Sequence, residues 1–294
     1  LAFSPDSSRL VTPETTKGVG VNLWDLSVSV SRPRLIPVSI RSVLRVAFNP
    51  ANSNRLYAGN FSELCVVNIE TGVCAPFLAN KPETTLWFGV SPDGTQMPVH
   101  EWTYPQREVN SRLSLYADGV YSKPKLAIAT NRLPKSPLIF LPDGERFVGV
   151  EFEGHVGCHI AIRTADSCEV DWESGVLPEA PEHIALSPDG TVLACHTRDM
   201  IFVHPVGGDH ATAPALRNDT RKYFTGLAFH PSGRWLAVTS NDRTVKFYDT
   251  ETWAVAKEYT WNIGRLRSVA FSPDGTLAAA GADAGKIVVW DVDA

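Results

Sequence analysis

No stretch of these 294 residues approaches the ~20 consecutive apolar residues that a membrane-spanning helix needs. Positive charge is also short. The chain carries 27 Lys and Arg against 32 Asp and Glu, a formal net charge of −5, which leaves no electrostatic footprint for nonspecific binding to nucleic acid or an anionic membrane. Cysteine is sparse and odd in number: Cys65, Cys74, Cys158, Cys168 and Cys195 lie mostly in apolar, strand-like runs without metal-ligand spacing. They read as small buried hydrophobes, which implies a reducing compartment and a cytoplasmic location. Cys65 and Cys74 flank Glu70-Thr71-Gly72 and can face each other across that turn, so a bridge there is the less favoured alternative. There is no initiator Met and no charged-then-apolar leader, so the chain reads as an excised domain. Gly-rich phosphate cradles, HExxH, CxxC and the nucleophile elbow are all missing, which removes the commonest signatures of phosphoryl, metalloprotease, redox and acyl-transfer chemistry.

What is present is repetition. Val269-Ala270-Phe271-Ser272-Pro273-Asp274-Gly275 is a short apolar strand that stops in a tight turn, where Pro and Asp initiate and Gly accepts the positive φ that closes it. Related runs begin at Leu1, Val46, Phe88, Leu138, Ile184 and Leu227, with prolines at Pro5, Pro50, Pro92, Pro142, Pro188, Pro231 and Pro273, 42 to 50 residues apart. A second apolar strand follows each, at Val21, Leu64, Arg112, His159, Met200, Val245 and Ile287. Seven copies of a period near 40 to 45 residues fit a four-stranded unit repeated around an axis. Hydrophobic residues make up 44% of the chain, enough for the cores between such units.

Two copies end in Trp24-Asp25 and Trp290-Asp291, and with the Ser-Pro-Asp-Gly turns the whole chain resembles the WD-repeat β-propeller family. The resemblance implies an all-β, seven-bladed propeller of four-stranded antiparallel blades, a single domain over 1–294. The blades are expected near 1–40, 41–80, 81–129, 130–175, 176–217, 218–261 and 262–294. The seventh stops after its third strand and is expected to lack its outer strand, leaving an open edge that invites pairing with another chain. Departures are visible too. The Gly-His dipeptide before the first strand is missing, with Ser39, Thr220 and Asn262 near the expected histidine, and Tyr116 and Tyr248 replace tryptophan. The family's His–Ser/Thr–Asp–Trp network is therefore incomplete, and apolar packing is expected to hold the blades. Repeats rich in Ser-Pro-Asp-Gly and poor in Gly-His resemble bacterial members, often fused to kinases.

Local irregularities are read as loops. Lys17-Gly18 turns into the third strand of blade one, and Arg32–Ile40 makes its outer strand. Glu101–Glu108 in blade three and Glu151–His155 in blade four read as enlarged loops, and Pro205–Gly208 as a loose turn. Asp242 and Asp283 stand where the family places an aspartate that holds the turn before the third strand.

No residue set commits to catalysis, a cofactor or a metal. The eight histidines are scattered, and His155 with His159 reads as a loop residue and a strand residue rather than as a helical ligand pair. His100-Glu101 is the candidate for an alternative function, a propeller hydrolase or lactonase with its site at the channel mouth. The favoured function is a noncatalytic scaffold whose rim binds a protein or peptide, acidic because the rim is basic and aromatic. The expected contact residues are Arg45, Trp102, Tyr104, Arg107, Arg221, Tyr223, Trp261, Arg265 and Arg267, since Arg, Tyr and Trp dominate interface hot spots. A third reading is a degraded array that only spaces other domains.

Overall fold

The computed structural model describes residues 1–14, 19–28, 32–78, 84–103, 110–119, 123–154, 156–208 and 215–293. They fall into two compact units, Ala2–Pro178, and Leu1 with Glu179–Ala294. The first unit holds four sheets. In chain order they are β1 (Ala2–Phe3), β2 (Arg9–Pro13), β3 (Val21–Asp25), β4 (Arg34–Ile36); β5 (Arg45–Asn49), β6 (Asn52–Gly59), β7 (Leu64–Asn68), β8 (Cys74–Leu78); β9 (Thr84–Phe88), β10 (Gln96–Thr103), β11 (Asn110–Ala117), β12 (Leu126–Thr130); and β13 (Arg132–Pro134), β14 (Ile139–Phe140), β15 (Arg146–Glu153), β16 (Gly157–Thr164), β17 (Val170–Glu173). The second unit holds three: β18 (His183–Leu186), β19 (Val192–His196), β20 (Met200–Pro205), β21 (Ala215–Arg217); β22 (Phe224–Phe229), β23 (Trp235–Ser240), β24 (Thr244–Asp249), β25 (Val255–Thr260); and β26 (Leu266–Phe271), β27 (Leu277–Ala282), β28 (Ile287–Asp291). Every sheet is an antiparallel meander, and the seventh has three strands. This is the strand order of a seven-bladed propeller with a short last blade.

The repeated Ser-Pro-Asp-Gly is a wired turn. In the last copy Ser272 Oγ donates to Asp274 Oδ1 at 2.6 Å and accepts from Leu277 N at 2.9 Å. Asp274 Oδ1 in turn accepts from Thr276 N at 3.0 Å, and Gly275 N donates to the Ser272 carbonyl at 2.8 Å, with φ +77° at Gly275. Ser4, Ser91 and Ser187 make the same bonds to Asp6, Asp93 and Asp189. All four serines are buried, so the hydroxyl satisfies a strand-end amide that water cannot reach.

Cores lie between consecutive sheets within each unit. Val11, Leu23 and Ile36 of the first sheet meet Leu56, Ala58 and Val67 of the second, and Phe247 meets Phe271 and Ala278 between the sixth and seventh. Such residues alternate along their strands, which puts them on one face of the pleat.

Several loop expectations are corrected. Glu101, Trp102 and Thr103 extend β10, paired with Arg112, Ser111 and Asn110, so that stretch is hairpin and not loop. Glu151–Glu153 extends β15 in the same way, opposite His159, Cys158 and Gly157. The outer strand of the first sheet is only Arg34–Ile36. The first strand of the fourth sheet is split into β13 and β14, both on β15. Pro137 has no amide proton to offer the ladder there, and Ser136 Oγ instead takes the Val150 N–H at 2.8 Å. Lys17-Gly18, Tyr104, Arg107, Glu108, His155 and His210 lie outside the described residues.

Candidate functional site

In the first unit, the start of β5, the β6–β7 turn and β9 meet at one end of their sheets. The Arg45 guanidinium lies 3.5 Å from the ring centroid of Trp87 and 5.1 Å from that of Phe61, and donates to the Leu86 carbonyl at 3.2 Å. Burial pushes its pKa down to about 10, which leaves it charged at neutral pH. Asn60 shapes the turn: its Oδ1 accepts from Ser62 N and Glu63 N, both at 2.8 Å, and its Nδ2 donates to the Arg41 carbonyl at 2.9 Å. The Phe61 carbonyl accepts from Leu86 N at 2.7 Å, which locks the turn onto the next sheet. Phe61 is nevertheless 53% exposed, and Leu44 beside Arg45 is 49% exposed. Phe61 is thus a large apolar ring fixed half in water beside a stacked cation, a candidate contact feature. Trp102 is half-buried in β10, two positions beyond His100. Sequence reading found Arg45 but missed Leu44, Phe61 and Trp87, because nothing in a lone Phe or Leu signals exposure.

The second unit distributes its expected contact residues differently. Tyr223 is 49% exposed, and Arg221 is exposed at φ +55° in a turn closed by its own amide on the Asn218 carbonyl. Arg265 and Arg267 both engage Asp283: Arg265 N donates to Oδ1 at 3.2 Å, and Arg267 Nη2 stands 3.5 Å from Oδ2. Trp261 turns inward. Its ring stacks on Tyr259 at 5.6 Å between centroids and lies tilted by 45° against Trp290 at 4.7 Å.

The family-type aspartates and Trp24 sit in local bonds, whereas the buried Trp290 Nε1 has no hydrogen-bond partner among the described residues. Trp24 Nε1 donates to Thr12 Oγ1 at 3.2 Å, Asp25 Oδ1 accepts from Ser27 N at 2.9 Å, and Asp291 Oδ1 accepts from Asp293 N at 2.8 Å. Asp242 accepts from Thr244 N at 3.0 Å and from Thr220 Oγ1 at 2.6 Å. Asn218, which sequence reading passed over, adds bonds to Ser240 Oγ and to the Lys222 carbonyl. A threonine and an asparagine thus do part of the work of the missing histidine. Lys246, buried between Asp219 and Glu258, is a second feature with no sequence signal.

The hydrolase candidate is taken apart by strand geometry. His100 and Glu101 are neighbours in β10, so their side chains leave opposite faces of the sheet and cannot act on one bond. His100 is buried against Ser111 Oγ at 2.8 Å, and burial pushes its pKa down to about 4.

The fourth sheet holds a denser charge cluster. Arg163 forks onto Glu151 at 2.7 and 2.8 Å. Arg132 reaches Glu173 at 2.8 Å and Glu153 at 3.1 Å, and His159 Nδ1 stands 3.2 Å from Glu173. Ligand atoms of Glu153, His159 and Glu173 lie within 4.8 Å of one another, a donor set of the kind that zinc accepts. The set does not fit a metal as it stands, since the Arg132 guanidinium already pairs with both of its carboxylates and would oppose a second cation. The cluster is a partly buried ionic crosslink of β13, β15, β16 and β17, with Glu151, His159 and Arg163 its buried members.

Comparison with known proteins places the fold. The family description "WD domain, G-beta repeat" matches residues 218–249 and 258–291, the two best-kept repeats. Over 136 residues, 42% of this chain, the sequence is 27% identical to apoptotic protease-activating factor 1 of Danio rerio, a match that takes in 10% of that protein's length. The crystal structure of the Myceliophteria thermophila Cps50 (Swd1) beta-propeller domain superposes with a TM-score of 0.75 at 12% identity, covering 99% of this chain and 94% of that one. Neither similarity supports the bacterial-type reading of the repeats. The fold is a seven-bladed, WD40-type β-propeller.

Proposed function

We propose that the chain is a noncatalytic interaction scaffold that binds a protein or peptide segment through the loops at one end of its sheets. The observation that carries this reading is the Arg45 assembly: Phe61 held half in water by a turn that Asn60 and Leu86 fix in place, with Leu44 exposed just before Arg45 in the chain. Exposing two large apolar side chains costs free energy that only a partner recovers, and the hydrogen bonds around them preorganise the surface for it. Exposed Arg41 beside the Asn60 turn favours an acidic segment there. In the second unit, taken by itself, exposed Arg221 and Arg265 offer a basic surface, and the ion pair of Arg267 with Asp283 makes it an exchangeable contact. The outer edge of β28 is a second place where an extended strand could add, by main-chain bonds. The test is capture of protein from a lysate of the source cells by wild type and by a Leu44→Ser/Phe61→Ser double variant, at matched thermal stability. Partners retained by both proteins equally would refute the rim reading. Partners lost with the variant, and weakened by salt, would support it and its preference for acidic ligands.

A further inference from the structure

All five cysteines are free thiols. Cys158, Cys168 and Cys195 are buried, and burial pushes their pKa values up, to about 11 for Cys168 and about 12 for Cys195. Cys74 is different in place and in surroundings. It opens β8, the outermost strand of its sheet, and is half-buried rather than sealed. Val67 is its partner in the β7–β8 ladder, and Cys65 lies two residues from Val67, so Cys65 and Cys74 point from the same face of the sheet. On that face the two side chains are close enough for each thiol to shift the other's ionisation. Ser39, arriving from beyond β4, brings its amide to 3.5 Å and its hydroxyl to 3.4 Å from the same Cys74 sulfur.

The Ser39 amide and hydroxyl therefore converge on the sulfur of a half-buried cysteine that shares a sheet face with Cys65, an arrangement that favours a thiolate. The neighbouring Cys65 thiol and then Ser39 hold Cys74 down to about 5, against burial. Cys65, beside that sulfur and fully buried, is pushed the other way and keeps its proton. An ionised thiol beside a protonated one is the pairing that peroxide-sensing thiols need: the first attacks and the second resolves.

We propose that Cys74 and Cys65 are a peroxide-reactive thiol pair that closes a disulfide between β7 and β8. The Cys74 sulfur attacks one oxygen of hydrogen peroxide, an S–O bond forms as the O–O bond breaks, and the departing hydroxide takes up a proton to leave as water. Cys65 sulfur then attacks the Cys74 sulfenic acid. The S–S bond forms, the S–O bond breaks, and the hydroxide leaves as a second water with the proton from Cys65. Two thiols are oxidised by two electrons and one peroxide is reduced to two waters.

The test is peroxide treatment of the native protein, blocking with N-ethylmaleimide, cleavage at glutamate and mass spectrometry. Cleavage after Glu63, Glu70 and Glu83 separates the two cysteines into peptides 64–70 and 71–83. The expected result is that these two peptides run joined and come apart with dithiothreitol. In Cys65→Ser the Cys74 sulfenic acid is expected to persist and react with dimedone. Without peroxide, native Cys74 should alkylate at least about tenfold faster than Cys158, and Ser39→Ala should slow it. Peptides that stay unjoined, or a Cys74 no faster than Cys158, would overturn the proposal.

Discussion

His230 Nε2 donates to the carbonyl oxygen of Gly275 at 2.9 Å, joining the turn after β22 to the equivalent turn after β26, 45 residues further on. Its other nitrogen, Nδ1, accepts from Ser232 N at 3.1 Å, which assigns the proton to Nε2. Asn49 does the same in the first unit, with Nδ2 on the Gly94 carbonyl at 2.9 Å. Both residues occupy the position that serine holds in the four regular turns. At these two turns, where the hydroxyl is missing, a longer polar side chain reaches past its own turn and ties it to the next sheet. Glycine is required at the receiving end for two reasons: φ is near +70°, and a Cβ on Gly275 would lie 2.8 Å from His230 Nε2.

Gly275→Ala should therefore destabilise the protein by about 1–3 kcal/mol, from the strained φ and the displaced histidine together. Gly233→Ala separates the two causes, since Gly233 has φ +76° and nothing within 4 Å of a built Cβ. Urea midpoints should rank wild type above Gly233→Ala above Gly275→Ala, and His230→Ala should shrink the gap in a double-mutant cycle. Equal midpoints for the two glycine variants would show that the His230 staple carries no energy.

The Glu151–Arg163 pair should behave as a buried ion pair. Arg163→Met leaves the Glu151 carboxylate without its fork in a dry sheet and should cost about 3–5 kcal/mol. The double variant Glu151→Leu/Arg163→Met removes both charges and should recover most of that loss. A double variant as unstable as the single one would mean that Arg163 acts through its bond to the Cys168 carbonyl instead.

Acid sensitivity follows from His100. Burial depresses its folded-state pKa to about 4, below the ordinary 6.5, so the folded protein favours the neutral ring. The unfolded chain then binds the extra proton between those values, and stability falls as pH drops from about 6.5 toward 4. The shift corresponds to about 3 kcal/mol of lost stability at the acid end. His100→Gln should flatten the unfolding free energy over that window relative to wild type. Parallel curves for the two proteins would remove His100 as the cause.

Trp261 and Phe61 should separate stability from binding. Trp261→Ala removes a ring packed on Tyr259 and Trp290 and should cost about 2–4 kcal/mol in urea unfolding. Phe61→Ser, at a half-exposed tip, should leave the midpoint within about 0.5 kcal/mol of wild type while weakening partner capture. The reverse pattern would exchange their assigned roles.

Much of this was legible from spacing. The number of sheets, their meander order and the three-stranded last sheet follow from a strand–turn unit repeated seven times, because periodicity of strand and turn signals is a local property of the chain. Loop lengths were less legible. Glu101–Thr103 and Glu151–Glu153 read as irregular because charged and bulky residues interrupt the apolar alternation, yet each lies in a long hairpin where the opposite strand meets its hydrogen bonds. Those are bonds to residues about ten positions away.

The candidate site was the least legible part. An arginine, a tryptophan and an aspartate announce only what they can bind, and Trp261 against Phe61 shows that composition does not say which ring faces water. Repetition along the chain thus specified how many sheets form and in what order. Which side chains lie buried, bonded or bare was decided by neighbours 14 to 45 residues away, because burial and pairing depend on distances in space that no linear pattern encodes.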